Sequence, residues 1–214
     1  MLTRRIPFVF VAAAALVAAA CGKPKGEAAG APAAAAAEPG TGDAFPLVVL
    51  ETTKGRIVMQ LDRAKAPQTV ENILGHVNHG FYDGLVFHRV IRGFVIQAGV
   101  LTASGMEKRS NAPPVPNEAD NGLKNTAGTV ALARAYDPQS GGAQFYINVA
   151  DNPMLDFKTK TVAGWGYCVF GRVTEGMDVV ERISVVPTTR QGDYTDLPVE
   201  PVVITKAYVQ APAK

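Results

Sequence analysis

The chain has 214 residues, of which 47% are apolar and 19% charged, with a formal charge of +2. That is enough apolar material for one buried core and too little net charge for an electrostatic footprint on nucleic acid. Arg4 and Arg5 are the only charges among the first twenty residues, so taking them from the +2 leaves residues 21–214 formally neutral.

Residues 1–20 read as an export signal. Met-Leu-Thr-Arg-Arg is basic, Ile6 to Ala20 is apolar and Ala-rich, and Ala18-Ala19-Ala20 precede Cys21. A positive start, a short apolar stretch and small residues before a cleavage point are the marks of a secretory signal. The stretch falls short of the about 20 apolar residues of a membrane-spanning helix. The segment resembles a bacterial lipoprotein signal, which implies acylation of Cys21 and anchoring at the periplasmic face of a membrane. Gly22 points to the outer membrane in a cell that has one, and the alternative is a soluble periplasmic protein. Residues 21–45 are rich in Ala, Pro and Gly and poor in large apolar side chains. Such a composition cannot offset the entropy of ordering, so this is a disordered tether. The folded domain is expected over residues 46–211.

Leu47–Thr52 and Arg56–Leu61 are β-rich runs joined by a short loop with Gly55. A helix follows, with Pro67 in its first turn, Gly80 at its stop and Val70, Ile73, Leu74 and Val77 on one apolar stripe. Further strands are expected at Val86–Ile91, Phe94–Gln97, Thr129–Ala133, Gln144–Val149, Tyr167–Arg172 and 201–209. Residues 100–125 form a long polar, Pro-rich loop. A second short helix fits Glu175–Ile183, with Met177, Val180 and Ile183 inward. Short strands with two helices indicate a mainly β, closed antiparallel barrel with helical plugs. Plain strand alternation places Phe87, Arg89 and Ile91 on one face, which makes Arg89 an arginine on an apolar, inward face.

Other signals carry less. Cys21 and Cys168 lie in dissimilar settings, so no disulfide is expected, and Cys168 reads as a small buried hydrophobe. His76 and His79 fall off the apolar stripe near the helix C-terminus without a third ligand, so no metal is expected. Ser140-Gly141-Gly142 lacks the lysine of a phosphate loop and reads as a turn. Trp165 between glycines reads as packing.

The run Phe87-His88-Arg89-Val90-Ile91, then Gly93-Phe94, Gln97 and Gly99, closely resembles the cyclophilin signature. The likeness continues through Asn117–Thr126, Gly141–Asn148, Leu155-Asp156 and Val169-Phe170-Gly171, in order along residues 47–210, in forms like the bacterial branch. It implies an eight-stranded antiparallel barrel with two capping helices, prolyl isomerase activity on proline-containing flexible polypeptides, and no cofactor. It assigns Arg89 as the donor that stabilises the twisted prolyl amide and Gln97 as the group orienting Arg89 and substrate. Phe94, Val95, Leu155 and either Phe145 or Tyr146 would line the proline pocket, the family's second aromatic favouring Tyr146. His88 would shape the site, and Ala133 and Gln144 would border the peptide groove. Several positions depart from the family: Val95 for Met, Tyr146 for Phe, Met154 for Trp or Phe, Tyr167 for His and Ala98 for Gly. All of these keep the pocket apolar or nearly so, so catalysis is expected to survive; Met154 and Tyr167 would also contact substrate, and Met154 implies weak cyclosporin sensitivity. The rival reading is a module that binds proline segments without turnover, as a chaperone or adhesin, and the intact Arg89 and Gln97 favour the enzyme; a monomer is expected.

Overall fold

A computed structural model describes residues 44–211. The leader, Cys21 and most of the tether lie outside the described residues. Ten strands and two α-helices follow one another. β1 (Leu47–Thr52) and β2 (Gly55–Leu61) form the first hairpin. Then come α1 (Pro67–Asn78), β3 (Leu85–Ile91), β4 (Val95–Thr102), β5 (Thr129–Leu132), β6 (Phe145–Asn148), β7 (Val169–Glu175), α2 (Met177–Ser184), β8 (Thr188–Gln191), β9 (Tyr194–Pro198) and β10 (Ile204–Gln210).

Eight of the strands make one antiparallel sheet in the order β10-β1-β2-β7-β5-β6-β4-β3. Its two edges meet through a bridge between Val86 and Val203 and through Phe87 N–H donating to the Val202 carbonyl at 3.0 Å. The sheet thus closes into a nearly complete barrel and leaves little edge unpaired. The core lies inside it. Leu50, Ile57, Phe87, Ile96, Phe145 and Phe170 point inward, and the helices add Val70, Ile73, Val180 and Ile183. Cys168 is buried and free, and burial pushes its thiol up to about 12.

The expected barrel is present, but four local readings needed correction. β4 starts at Val95 and runs to Thr102, eight residues where the sequence suggested four. Glu175 ends β7 rather than opening α2, because Gly176 takes a left-handed φ of 85° between them. Residues 188–198, unread as structure, form the β8–β9 hairpin. His76 is buried, with Nε2 2.6 Å from Ser110 Oγ and Nδ1 2.7 Å from the Asn72 carbonyl.

The long loop after β4 is also more ordered in its contacts than its composition suggests. Ala66, at the α1 N-terminus, has no side chain able to cap it. Glu118, from the loop, accepts from the backbone N–H groups of Gln68 and Thr69 and from the Thr69 hydroxyl. A carboxylate there satisfies the orphan donors of the first turn and sits at the positive end of the helix dipole. Residues 156–166 form a loop whose ends meet: Tyr167 N–H donates to the Leu155 carbonyl at 2.9 Å. Gly166 (φ +62°) makes that approach feasible, since a Cβ there would lie 2.5 Å from the Asp156 carbonyl carbon.

Candidate active site

Pairing register carries a row of residues across five strands: Arg89 opposite Gln97, Gln97 opposite Tyr146, Tyr146 opposite Ala131, and Ala131 opposite Val169. This row lies on the outer face of the barrel. Arg89 reaches that face because β3 does not alternate cleanly. Phe87 pairs with Ala98 while Arg89 pairs with Gln97, so β3 spends one residue more than β4 between these pairs. Such a bulge re-aims the side chains that follow it. Phe87 and Val90 both enter the core, and Arg89 between them emerges outside, 44% exposed. The expectation that Phe87 and Arg89 share a face is therefore overturned, together with the cost of an inward arginine.

A second, small apolar cluster occupies the same outer face. Val95, Ala131, Tyr146 and Val169 are buried there, and Phe94, Leu123, Ala133, Leu155 and Tyr167 pack against them half-exposed. Six of the nine residues expected to bind substrate meet in it: Phe94, Val95, Ala133, Tyr146, Leu155 and Tyr167. Of the two aromatics left open above, Phe145 belongs to the interior core and Tyr146 to the pocket, as successive residues of a strand must. Met154 stands at the rim, 64% exposed.

The Tyr146 hydroxyl does not point a loose polar group at the pocket. It donates to Asn125 Oδ1 at 2.8 Å, to which Asn148 Nδ2 also donates at 3.2 Å. Asn125 is held in turn by Asp156 Oδ1, through its backbone N–H (2.8 Å) and its Nδ2 (3.2 Å). Asn152 Nδ2 donates to Asn148 Oδ1 and to the Phe94 carbonyl. Burial raises the Tyr146 pKa well above the ordinary tyrosine value, so the hydroxyl remains a donor. This asparagine network ties the pocket floor to the β3–β4 turn bearing Phe94. Sequence reading missed it; the one available signal was polar asparagines inside otherwise apolar runs. At the other rim, Tyr167 meets Tyr146 edge-on at 5.8 Å and carries the Arg134 guanidinium over its ring at 4.7 Å.

The polar end of the row is connected as well. Gln97 Nε2 donates to Gln144 Oε1 at 3.0 Å, and the Gln144 side chain also reaches His88. Gln97 stands opposite Arg89, yet its side-chain amide is engaged with Gln144. Gly99, with φ +112°, lets β4 pass close to the 143–144 backbone; a Cβ would lie 2.6 Å from the Ala143 carbonyl oxygen. His88, the bulged residue, is buried, and its Nδ1 has no hydrogen-bond partner among the described residues. Burial first, and the neighbouring Arg89 charge second, push its pKa down to about 4, so the ring is neutral near pH 7. Among the described residues no group of three or more His, Cys, Asp or Glu side chains is placed to hold a metal.

The family model for cyclophilin type peptidyl-prolyl cis-trans isomerases matches residues 47–209. The chain belongs to that family. It is 54% identical over 162 residues to a peptidyl-prolyl cis-trans isomerase of Streptomyces antibioticus, covering 76% of this chain and 97% of that protein. It is 48% identical over 163 residues to peptidyl-prolyl cis-trans isomerase B of Escherichia coli, covering 76% of this chain and 99% of that one. In fold it is similar to a cyclophilin type peptidyl-prolyl cis-trans isomerase of Cryptosporidium parvum, with a TM-score of 0.64 at 22% identity, covering 79% of this chain and 99% of that chain. The activity is accordingly peptidyl-prolyl cis-trans isomerisation, and the substrates are proline-containing polypeptides.

Proposed function

We propose that this cyclophilin isomerises X–Pro bonds in exported, flexible polypeptides, with Arg89 as the group that stabilises the twisted amide. The observation behind this is the juxtaposition on one face: a half-exposed guanidinium on the same cross-strand row as an apolar cluster open to solvent. Rotation about a peptide C–N bond meets a barrier of about 18–20 kcal/mol because the bond is partly double. At the twisted geometry the proline nitrogen loses conjugation and becomes an acceptor. A cationic donor aimed there binds the transition state more tightly than either planar state. No bond breaks, so the reaction requires neither nucleophile nor metal.

One charge-assisted hydrogen bond contributes roughly 1.5–3 kcal/mol. A millionfold acceleration, as a working scale, corresponds to roughly 8 kcal/mol. The remainder falls to the pocket, which grips the ring while Gln97, Gln144 and the Ala133 backbone hold the flanking peptide. The test is cis/trans exchange of a short Xaa-Pro peptide followed by NMR with the purified chain. Arg89→Ala should cut the acceleration about 100-fold, the scale of losing one transition-state donor. Peptide binding without acceleration in the unsubstituted chain would instead make it a proline-binding module.

The leader and tether support an exported location, with Cys21 acylated and the domain held at the periplasmic face of a membrane, as a monomer. Two or more acyl chains anchor stably where one does not. Cys21→Ser should move the protein from the membrane fraction to the soluble fraction. If the unsubstituted protein is already soluble and unlipidated, it is a soluble periplasmic isomerase.

A further inference from the structure

The β8–β9 hairpin lies alongside β3, next to Arg89. It is short: every residue of β8 is exposed, whereas β9 is mostly half-buried and ends on the buried Pro198. Its closing end is fixed by Val199 N–H donating to the Pro187 carbonyl at 2.9 Å. Near its tip, Tyr194 meets the buried His88 ring edge-on at 5.7 Å and donates its hydroxyl to Glu107 Oε1 at 3.2 Å. Glu107 in turn binds Arg109 through Nε and Nη2. Two residues along, Asp196 presents Oδ2 3.8 Å from Arg89 Nε, and the same oxygen accepts from the Thr195 hydroxyl at 2.8 Å.

From this we infer that Asp196 is a positioning residue for Arg89, delivered to the site by the β8–β9 hairpin; the inference rests on the role proposed for Arg89 above. The physical case has three parts. Arg89 emerges from a bulge on a strand beside the sheet's incompletely paired seam, and its long side chain has freedom that must be restrained for aimed donation. Gln97, the nearest cross-strand candidate to restrain it, is engaged with Gln144. Asp196 is the only carboxylate paired with Arg89 among the described residues, and it faces Nε. With the carboxylate on the Nε side, the terminal Nη groups, which make no hydrogen bond to any described residue, are left for substrate. At 3.8 Å the contact is an ion pair and not a hydrogen bond. Both partners are partly exposed, so it adds little to stability. Its value lies in biasing where the guanidinium points before substrate arrives.

Four variants of the purified full-length chain decide it, each assayed by prolyl-peptide exchange with kcat and KM separated. Asp196→Asn removes the charge and keeps the shape. It should lower kcat about tenfold with little change in KM, the pattern of a misaimed transition-state contact. It should also broaden or shift the Arg89 Nε–Hε resonance, which a purely structural role in the hairpin would not move. Asp196→Glu should recover most of the rate. In an Arg89→Ala background Asp196→Asn should cost nothing further. An Asp196→Asn enzyme as fast as or faster than the unsubstituted chain, while Arg89→Ala remains slow, overturns the inference and leaves the Arg89 role intact. A tenfold loss that persists in the Arg89→Ala background also overturns it, because the effect then bypasses Arg89. If Arg89→Ala itself keeps full activity, the Arg89 role fails first and Asp196 fails with it.

Discussion

The inner and outer faces of this barrel are built from the same strands and hold two apolar clusters of opposite character. Inside, Phe87, Phe145 and Phe170 are fully buried and sealed by α1 and α2. Outside, Val95, Ala131, Tyr146 and Val169 form a floor that only loops surround, and Phe94, Leu155 and Tyr167 stay half-exposed above it. Successive strand residues alternate between the two clusters, so one sheet supplies a rigid core and a preformed pocket. The contrast bears on the positions that depart from the family pattern, since all but the interior Ala98 fall on the outer cluster and its rim. The inner cluster is shut off from solvent, whereas the outer one opens to it and holds the Tyr146 hydroxyl through Asn125.

The contrast can be broken from the inner side first. Phe170→Ala should cost about 3–5 kcal/mol in urea unfolding, the scale for emptying a buried aromatic site. A loss below 1 kcal/mol would mean that the interior repacks as freely as the outer pocket.

The seam between the faces should respond to pH. His88 has a folded pKa of about 4 against an ordinary value near 6.5. The unfolded chain therefore binds the extra proton first, and stability present above pH 6.5 is lost as pH falls towards 4. The shift sets an upper bound of about 3 kcal/mol on this loss. The comparison is the slope of unfolding free energy between pH 6.5 and 4 in the unsubstituted chain and in His88→Gln. Parallel slopes would show that His88 is not held neutral.

The smallest effect on stability belongs to the outer face. The same Arg89→Ala substitution expected to slow exchange should move unfolding by less than about 0.5 kcal/mol, as surface changes do. A large stability loss there would erase the distinction between the two faces and make the activity loss uninterpretable.

Much of this was legible in the chain itself. The β-rich runs, the α1 stripe of Val70, Ile73, Leu74 and Val77, and the cyclophilin-like motifs were enough to expect a barrel with two helices and an Arg89-centred site. These are local patterns or short signatures, and local periodicity survives in sequence because each strand or helix buries one face. What only the tertiary structure decided depends on register and on distant partners. The bulge at His88 turns Arg89 outward although alternation counts it inward. Glu118 caps a helix 49 residues away, and Asn125 holds the hydroxyl of Tyr146. The β8–β9 hairpin, unread because its short strands carry no apolar alternation, brings Asp196 to Arg89. None of these pairings has a sequence period, since closing the barrel, and not the spacing along the chain, sets which residues meet.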